Sequence, residues 1–349
     1  MNKEDLYTEH YDNNTVLVDE IARREIGYTP WGKSGVPLRN MYFPTLEDLS
    51  QDLVLRTRYG VFASISKYQD PLSRIASKRG IVSTDLVFDI DKKVEGPRYD
   101  WMCEICGVMS EIVDMMVSDL GFPEEDLLID FSGSKGFHIT VDNEQYEPLT
   151  KSDRTSLLDY LRAESIDLNN LGTSRGGWHN RYNGFLSRIA ALMGDEHKAN
   201  EQRLLGMGVA KKWAKKLGNL LSSPTAREDM KASRLELEAG LEKSLKTLFV
   251  SSQKERFSPI DTKITADLTR MFRVPGSIHP STGLVSARLL LSDLSDPDEI
   301  FEKIKTAGGL DMVTITLTEP KQENSDVVKE WPAGTHTVPR WLAIHLLSV

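Results

Sequence analysis

Only two cysteines, Cys103 and Cys106, occur in 349 residues, so no disulfide framework can brace this chain, and a reducing compartment is its natural setting. Long apolar runs are missing as well. None approaches the roughly 18–20 residues that span a bilayer, so no membrane-crossing helix is expected. Positive charge is in deficit, with 43 Lys and Arg against 52 Asp and Glu, a formal charge of −9 and a pI near 5.4. That balance argues against a protein that coats nucleic acid by bulk electrostatics. It leaves room for an enzyme that grips nucleic acid locally, because carboxylates that hold metals count as negative. Repeats and low-complexity tracts are absent. The opening MNKEDLYTEHYDNNT is polar and acidic, so no secretory signal is expected.

What remains is an ordinary globular composition, 40% hydrophobic and 27% charged, enough for one large core or two modest ones. Turn signals at Pro30, Gly32, Gly35 and Pro37 precede a helix predicted over about 45–55. VFASISKY (61–68) and TDLVFDID (84–91) read as strands, and a polar link leads to a helix at about 101–119. There Cys106, Met109, Val113, Met116 and Leu120 recur at helical spacing. LLIDF (127–131) and FHITV (137–141) read as strands around a glycine turn. From about 150 to 255 the pattern is helical (151–164, 181–193, 198–221 and 227–249), with breaks at Gly172–Gly177 and Ser222–Pro224. Short strands return after Ile264, in MFRV, LVSARLLL and VTITL, and a last helix opens after Pro339. Strands, then helices, then strands predict a mixed α/β (α+β) core over 1–147 and 256–349 with a helical insert over 148–255.

In TDLVFDID, strand alternation puts Leu86, Phe88 and Ile90 on one face, and Val87, Asp89 and Asp91 on the other. Carboxylates at i and i+2 lie about 6–7 Å apart along a strand. They can converge on hard cations, which take oxygen ligands. Two surface aspartates at a strand end are the plainer alternative, but so apolar a strand reads as central, and its polar face needs a reason. FSGSKGFHITV brackets Ser134 and Lys135 between glycines, so that backbone N–H groups can approach an anion. Ser132 adds a hydroxyl and Lys135 a charge suited to a phosphate, and His138 opens the following strand. The spacing is not that of a Walker A loop, and an ordinary hairpin turn is the competing reading. RMFRVPGSIHPSTGL gathers Arg270, Arg273 and His279 around Pro275–Gly276, a set suited to a polyanion or to an exposed basic loop. Asp261 and Asp267 lie just upstream.

Taken together and in this order, DLVFDID, SGSKGFH and RVPGSIHPSTGL resemble the catalytic small subunit of archaeal and eukaryotic DNA primases. The likeness extends over HYDNNTV, ARREIGY, the PLRNMYF stretch around Arg39, and TVPRWLAIHLL, and the length suits the compact archaeal form. The resemblance implies the archaeo-eukaryotic primase catalytic core. It makes Asp89 and Asp91 paired ligands for Mg²⁺ or Mn²⁺, with Asp261 the third ligand and Asp267 the runner-up. Ser132, Lys135, His138, Arg273 and His279 would bind the incoming triphosphate, with Arg39 a further candidate. The implied activity is two-metal nucleotidyl transfer from NTPs or dNTPs. It would make short RNA primers, and DNA primers where dNTPs are accepted, on single-stranded DNA during replication. The implied partner is a large subunit carrying an iron–sulfur cluster. A cytoplasmic setting is expected in an archaeon, a nuclear one in a eukaryote. A repair or standalone primase–polymerase of the same superfamily is the alternative.

Small primase subunits often carry zinc after the paired aspartates. Cys103 and Cys106 have plausible spacing for two of its ligands, and Asp100, Glu104 or His10 would have to complete the set. Cys106 also lies on an apolar stripe, where free cysteine packs well. The turn has Lys135 where the family commonly has arginine, and so lacks a bidentate fork. In AKKWAKKLG, Lys211, Lys212, Lys215 and Lys216 read as a solvated helix face or as a contact to template backbone. An acid/base hydrolase using Asp89 and Asp91 would leave the basic turns unexplained. A silent DNA-binding scaffold sits badly with the acidic pI.

Overall fold

The segment TDLVFDID does not form one strand in the computed structural model. The chain switches sheets within it. Ile81–Thr84 belongs to one sheet and Leu86–Asp91 to another, with Asp85 at the crossing. The Asp85 carboxylate pairs with Arg24 at 2.7 Å, its N–H donates to Ile65, and its carbonyl accepts from Arg154. These ties hold the bend where alternation alone predicted an uninterrupted strand. The structure describes residues 1–29, 38–73, 75, 78–172, 176–265, 267–324 and 328–349. The turn signals at Pro30, Gly32, Gly35 and Pro37 lie outside the described residues, as do residues 173–175 of the break predicted at 172–177.

In chain order the strands that build the two sheets are β1 (Arg24–Tyr28), β2 (Leu38–Met41), β3 (Val61–Tyr68), β4 (Ile81–Thr84), β5 (Leu86–Asp91), β6 (Leu127–Phe131), β7 (Gly136–Val141), β8 (Met271–Arg273) and β9 (Ala287–Leu289). The first sheet runs β2-β1-β3-β4, with β8 also paired to β3; the second runs β5-β7-β6-β9. Pairing within both is antiparallel. β5 is therefore an end strand and not a central one. Its apolar character still makes sense, because residues 259–261 cover its outer edge through the Ile90–Ile260 bridge.

The register of the second sheet sorts its faces. Phe88, Ile139, Ile129 and Leu289 line up across it, as do Ile90, Phe137, Phe131 and Ala287, and all are buried. The opposite face carries the row Asp89, His138, Asp130, Arg288. Arg288 closes that row with a two-pronged contact to Asp130 at 2.7 and 3.0 Å. The helix predicted from about 101 runs over Arg98–Asp114 and passes into a π-helical turn at Met115–Asp119. Trp101 on this helix stacks on Phe137.

The chain divides into two compact units, one of residues 1–113, 122–155 and 259–349, the other of 114–121 and 156–258. These bounds correct the predicted insert of 148–255 in three places, the simplest being its end, since residues 256–258 go with the second unit. Residues 148–155 stay with the first unit because Arg154, wholly buried, donates to the carbonyls of Thr84, Asp85, Glu147 and Leu149. Residues 114–121 go with the second, where the Asp119 carboxylate accepts from Tyr160 and Arg181. Within the second unit, Trp178, Tyr182 and Phe185 meet Phe249 in an aromatic core. The predicted helix over 198–221 is two, His197–Gly206 and Lys211–Leu220, parted at Gly208, whose φ of +87° breaks a helix. That over 227–249 is also two, Pro224–Lys231 and Ala239–Arg256. The Ser223 side chain and Pro224 at the first turn start the earlier one. Lys211, Lys212 and Lys215 are exposed, and Lys216 pairs with Glu238.

Candidate active site

Asp89 is only 5% exposed, and its Oδ1 has no hydrogen-bond partner among the described residues. Asp91 lies two residues on, along the same face of β5. The segment carrying Asp261 runs antiparallel beside them, with the Asp91 N–H donating to Pro259 and the Asp261 N–H to the Asp89 carbonyl, both at 2.9 Å. Residues opposite each other in such a pair present their side chains to one side. Asp261 thereby joins Asp89 from a distant part of the chain. Burial, and then the charges of Asp91 and Asp261, push the Asp89 carboxyl up to about 8. Asp267 is placed differently. It is exposed, and its carboxylate closes a local turn by accepting from the Thr269 amide and hydroxyl.

Gly136 faces Asp91 across the sheet, and a Cβ there would collide with the Asp91 side chain and the Ile90 carbonyl. The loop before it, 132–136, is tightly tied from behind. The Gly133 carbonyl accepts from the Thr282 hydroxyl at 2.5 Å, and that of Ser134 from Arg98. The Lys135 carbonyl accepts from the Lys92 amide, and that of Gly136 from the Ser132 amide. Ser132 Oγ takes the Gly136 N–H at 3.3 Å. The N–H groups of Gly133, Ser134 and Lys135 meet no acceptor among the described residues. Successive free N–H groups beside a lysine form an anion cradle. Gly133, at φ +81°, permits it, and a Cβ there would lie 2.9 Å from His279 Cβ.

The predicted basic residues take distinct positions. Lys135 reaches Asp91 at 2.6 Å, which raises its own pKa. His138 lies 3.7 Å from Asp89 and edge-on to Phe272; burial, with the charge of Arg273, lowers it to about 3. Arg273 on β8 lies over the Phe62 ring, its Nη1 is buried without a partner among the described residues, and burial lowers it to about 10. His279 accepts from the Ser281 amide, and burial likewise lowers it to about 3. These imidazoles are neutral hydrogen-bonding groups at physiological pH. A cavity of about 130 Å³ is bounded by His138, Phe272, Arg273, Asp130 and Arg288. Arg39 is committed elsewhere, gripping buried Glu25 at 3.1 and 2.7 Å and donating to the Thr269 carbonyl. Sequence reasoning missed three braces. Thr282 lay within the RVPGSIHPSTGL motif, Arg98 read as part of a polar link, and His345, whose Nδ1 meets the Thr282 carbonyl at 2.5 Å, sits in the last helix.

As the side chains stand, no three His, Cys, Asp or Glu groups among the described residues converge on one metal position. For a hard divalent ion the donors nevertheless fit: three carboxylates, one with an unsatisfied buried oxygen, are assembled beside the cradle. For zinc they do not. Cys103 is exposed, while Cys106 is buried and its thiol pushed up to about 12 by burial. Glu104 is paired with Lys92, and His10 with the Gly276 carbonyl. Cys106 therefore packs in the core on its helix's apolar stripe, while Cys103 faces outward.

Residues 88–290, which hold the three aspartates, the 132–136 loop, His138, Arg273 and His279, match the family model described as DNA primase small subunit. This chain belongs to that family. It is a catalytic primase subunit of DNA replication, with a mixed α/β fold. Among relatives named DNA primase small subunit PriS, that of Haloarcula marismortui is 25% identical over 98% of this chain and 95% of its own. That of Natronomonas pharaonis is 26% identical over 98% and 95%. That of Thermoplasma acidophilum is 22% identical over 99% and 97%. The polymerase domain of Mycobacterium tuberculosis Ligase D, solved in complex with DNA, aligns over 84% of this chain and 82% of its own at 12% identity. Its TM-score of 0.39 is too low to support an argument about the site. As a primase subunit the chain is a nucleotidyltransferase, and among the described residues no helix is long and apolar enough to cross a membrane.

Proposed function

We propose that the chain builds short RNA primers on single-stranded DNA, and DNA primers where dNTPs are accepted, by joining a 3′-hydroxyl to the α-phosphate of a nucleoside triphosphate. The observation that carries this reading is the juxtaposition of Asp89, Asp91 and the free N–H groups of the 132–136 loop, linked through Lys135. Asp89, Asp91 and Asp261 would hold Mg²⁺ or Mn²⁺, which when bound eases deprotonation of the hydroxyl and offsets charge on the triphosphate. The Ser134 and Lys135 amides, with the Lys135 ammonium, would bind the β- and γ-phosphates. Arg273 and neutral His279 would donate to the same polyanion, and His138 would orient it beside Asp89. The new bond joins the 3′-oxygen to the α-phosphorus, the α–β bridge breaks, and pyrophosphate leaves with the displaced electron pair. Fixed donors around the phosphates stabilise the charge that develops there.

A larger subunit would be its partner, and any four-thiolate iron–sulfur cluster would belong to that partner, because this chain has two cysteines. The setting is the cytoplasm if the source is archaeal. De novo synthesis on single-stranded DNA, comparing NTPs with dNTPs, tests the reading. Products should appear without a primer, vanish with EDTA and return with Mg²⁺ or Mn²⁺. Extension of supplied primers only, at any nucleotide concentration and with the larger subunit present, would favour a repair or standalone primase–polymerase.

A further inference from the structure

Arg98 is an arginine in an unusual place. It opens the helix that follows the aspartate strand, it is 5% exposed, and no carboxylate is paired with it among the described residues. A buried cation without a counter-charge is costly, and burial lowers its pKa to about 10. One Nη donates to the Ser134 carbonyl, while Nε has no acceptor among the described residues. Its backbone is anchored too, its N–H donating to the Asn324 carbonyl at 2.8 Å. Its charge also helps to hold His279 neutral.

The consequence follows from the peptide plane. In a trans peptide the C=O of one residue and the N–H of the next point in opposite directions. Whatever holds the Ser134 carbonyl therefore turns the Lys135 N–H the other way. The Thr282 hydroxyl does the same for the peptide before it, holding the Gly133 carbonyl and turning out the Ser134 N–H. Those two N–H groups have no acceptor among the described residues. Released from those donors, either peptide can turn over by counter-rotation of the two torsions that flank it, and its N–H would then be lost to an anion.

We propose that Arg98 is the positioning residue of the phosphate cradle, holding the Ser134–Lys135 peptide with its N–H turned toward the incoming triphosphate. This rests on the primase reading above and goes beyond it, because Arg98 acts from behind the loop and belongs to no motif that suggested the activity. A charge-assisted hydrogen bond is worth enough to bias one peptide orientation by about 10- to 100-fold.

The experiment compares the full-length wild type with Arg98→Ala, Arg98→Gln and Arg98→Lys. It measures KM and kcat for NTP in primer synthesis, the affinity for inorganic tripolyphosphate by calorimetry, and thermal melting. Arg98→Ala should raise KM and weaken tripolyphosphate binding by roughly 10- to 100-fold, with kcat at saturation close to wild type. Arg98→Lys, which can still donate to the Ser134 carbonyl, should recover most of the affinity, and Arg98→Gln part of it. If Arg98→Ala does not fold, the Gln and Lys variants decide on the same readouts. Unchanged KM and tripolyphosphate affinity in the folded variants would overturn the proposal. So would a loss of melting temperature and kcat with KM unmoved, since that marks a purely structural role. A wild type that neither binds tripolyphosphate nor makes primers would defeat the primase reading itself, and this inference with it. A wild type that does both while the variants match it defeats the inference alone.

Discussion

The amide of Asp261 donates to the carbonyl of Asp89 at 2.9 Å, and this one backbone bond brings a third carboxylate to a strand that already carries two. Burial leaves Asp89 Oδ1 unsatisfied, and its neighbours oppose its ionisation. Asp89→Asn should therefore abolish primer synthesis, by about 10³-fold or more if several kcal/mol of charge stabilisation are lost. It should also raise the melting temperature of the metal-free protein, because a buried repulsion is removed. Near-normal synthesis by a folded variant would reject the role.

Asp261 and Asp267 make opposite predictions. Asp261→Asn should resemble Asp89→Asn in activity, whereas Asp267→Asn, which alters only a local turn, should stay close to wild type. Primer yields from the two variants at saturating Mg²⁺ check this. The reverse pattern would move the third ligand to Asp267.

Lys135 pairs with Asp91 and stands at the cradle. Lys135→Ala should raise KM for NTP by roughly 10-fold or more, as expected for loss of a charged contact to phosphate. Steady-state kinetics over a range of nucleotide concentrations would show it, and an unchanged KM would count against the lysine as a phosphate ligand.

Arg154 is wholly buried and satisfies the carbonyls of Thr84, Asp85, Glu147 and Leu149. Arg154→Ala would strand several of these acceptors and should cost about 3 kcal/mol or more. Denaturant unfolding measures the loss. A change within experimental error would mean that water replaces the guanidinium.

His10 is buried, and burial holds its imidazole neutral, below its ordinary value of 6.5. Through the window between that value and the lower folded-state pKa, the unfolded chain binds a proton that the folded chain refuses. Stability contributed by neutral His10 is therefore present above 6.5 and lost as pH falls through this window. His10→Gln should flatten part of the stability profile below the ordinary value of 6.5, measured by denaturant midpoints. An unaltered slope would show that other groups carry the acid sensitivity.

Local pattern made much of this protein readable. Alternation in LVFDID put Asp89 and Asp91 on one face, and the glycines of SGSKG announced a turn that backbone could use. Strand bounds at 61–68 and 127–131 match the structure, because each is an apolar run stopped by turn residues. Local pattern misled where a distant partner decided the outcome. Asp85 breaks its strand because Arg24 and Arg154 hold it. The helices over 198–221 and 227–249 each divide, since apolar periodicity persists across a loop that costs it nothing.

The sequence by itself determined the composition of the site: which carboxylates, which basic groups and which glycines were available, and in what order. The tertiary structure decided their company. It paired residues 259–261 with β5 and so set Asp261 beside Asp89, leaving Asp267 to close a local turn. It also placed Arg98, Thr282 and, through Thr282, His345 behind the 132–136 loop. Periodicity reports which face of an element is buried, because that depends on neighbours a few residues away. Which elements then face each other depends on loop closure and packing across the whole chain, and no short window of sequence contains that information.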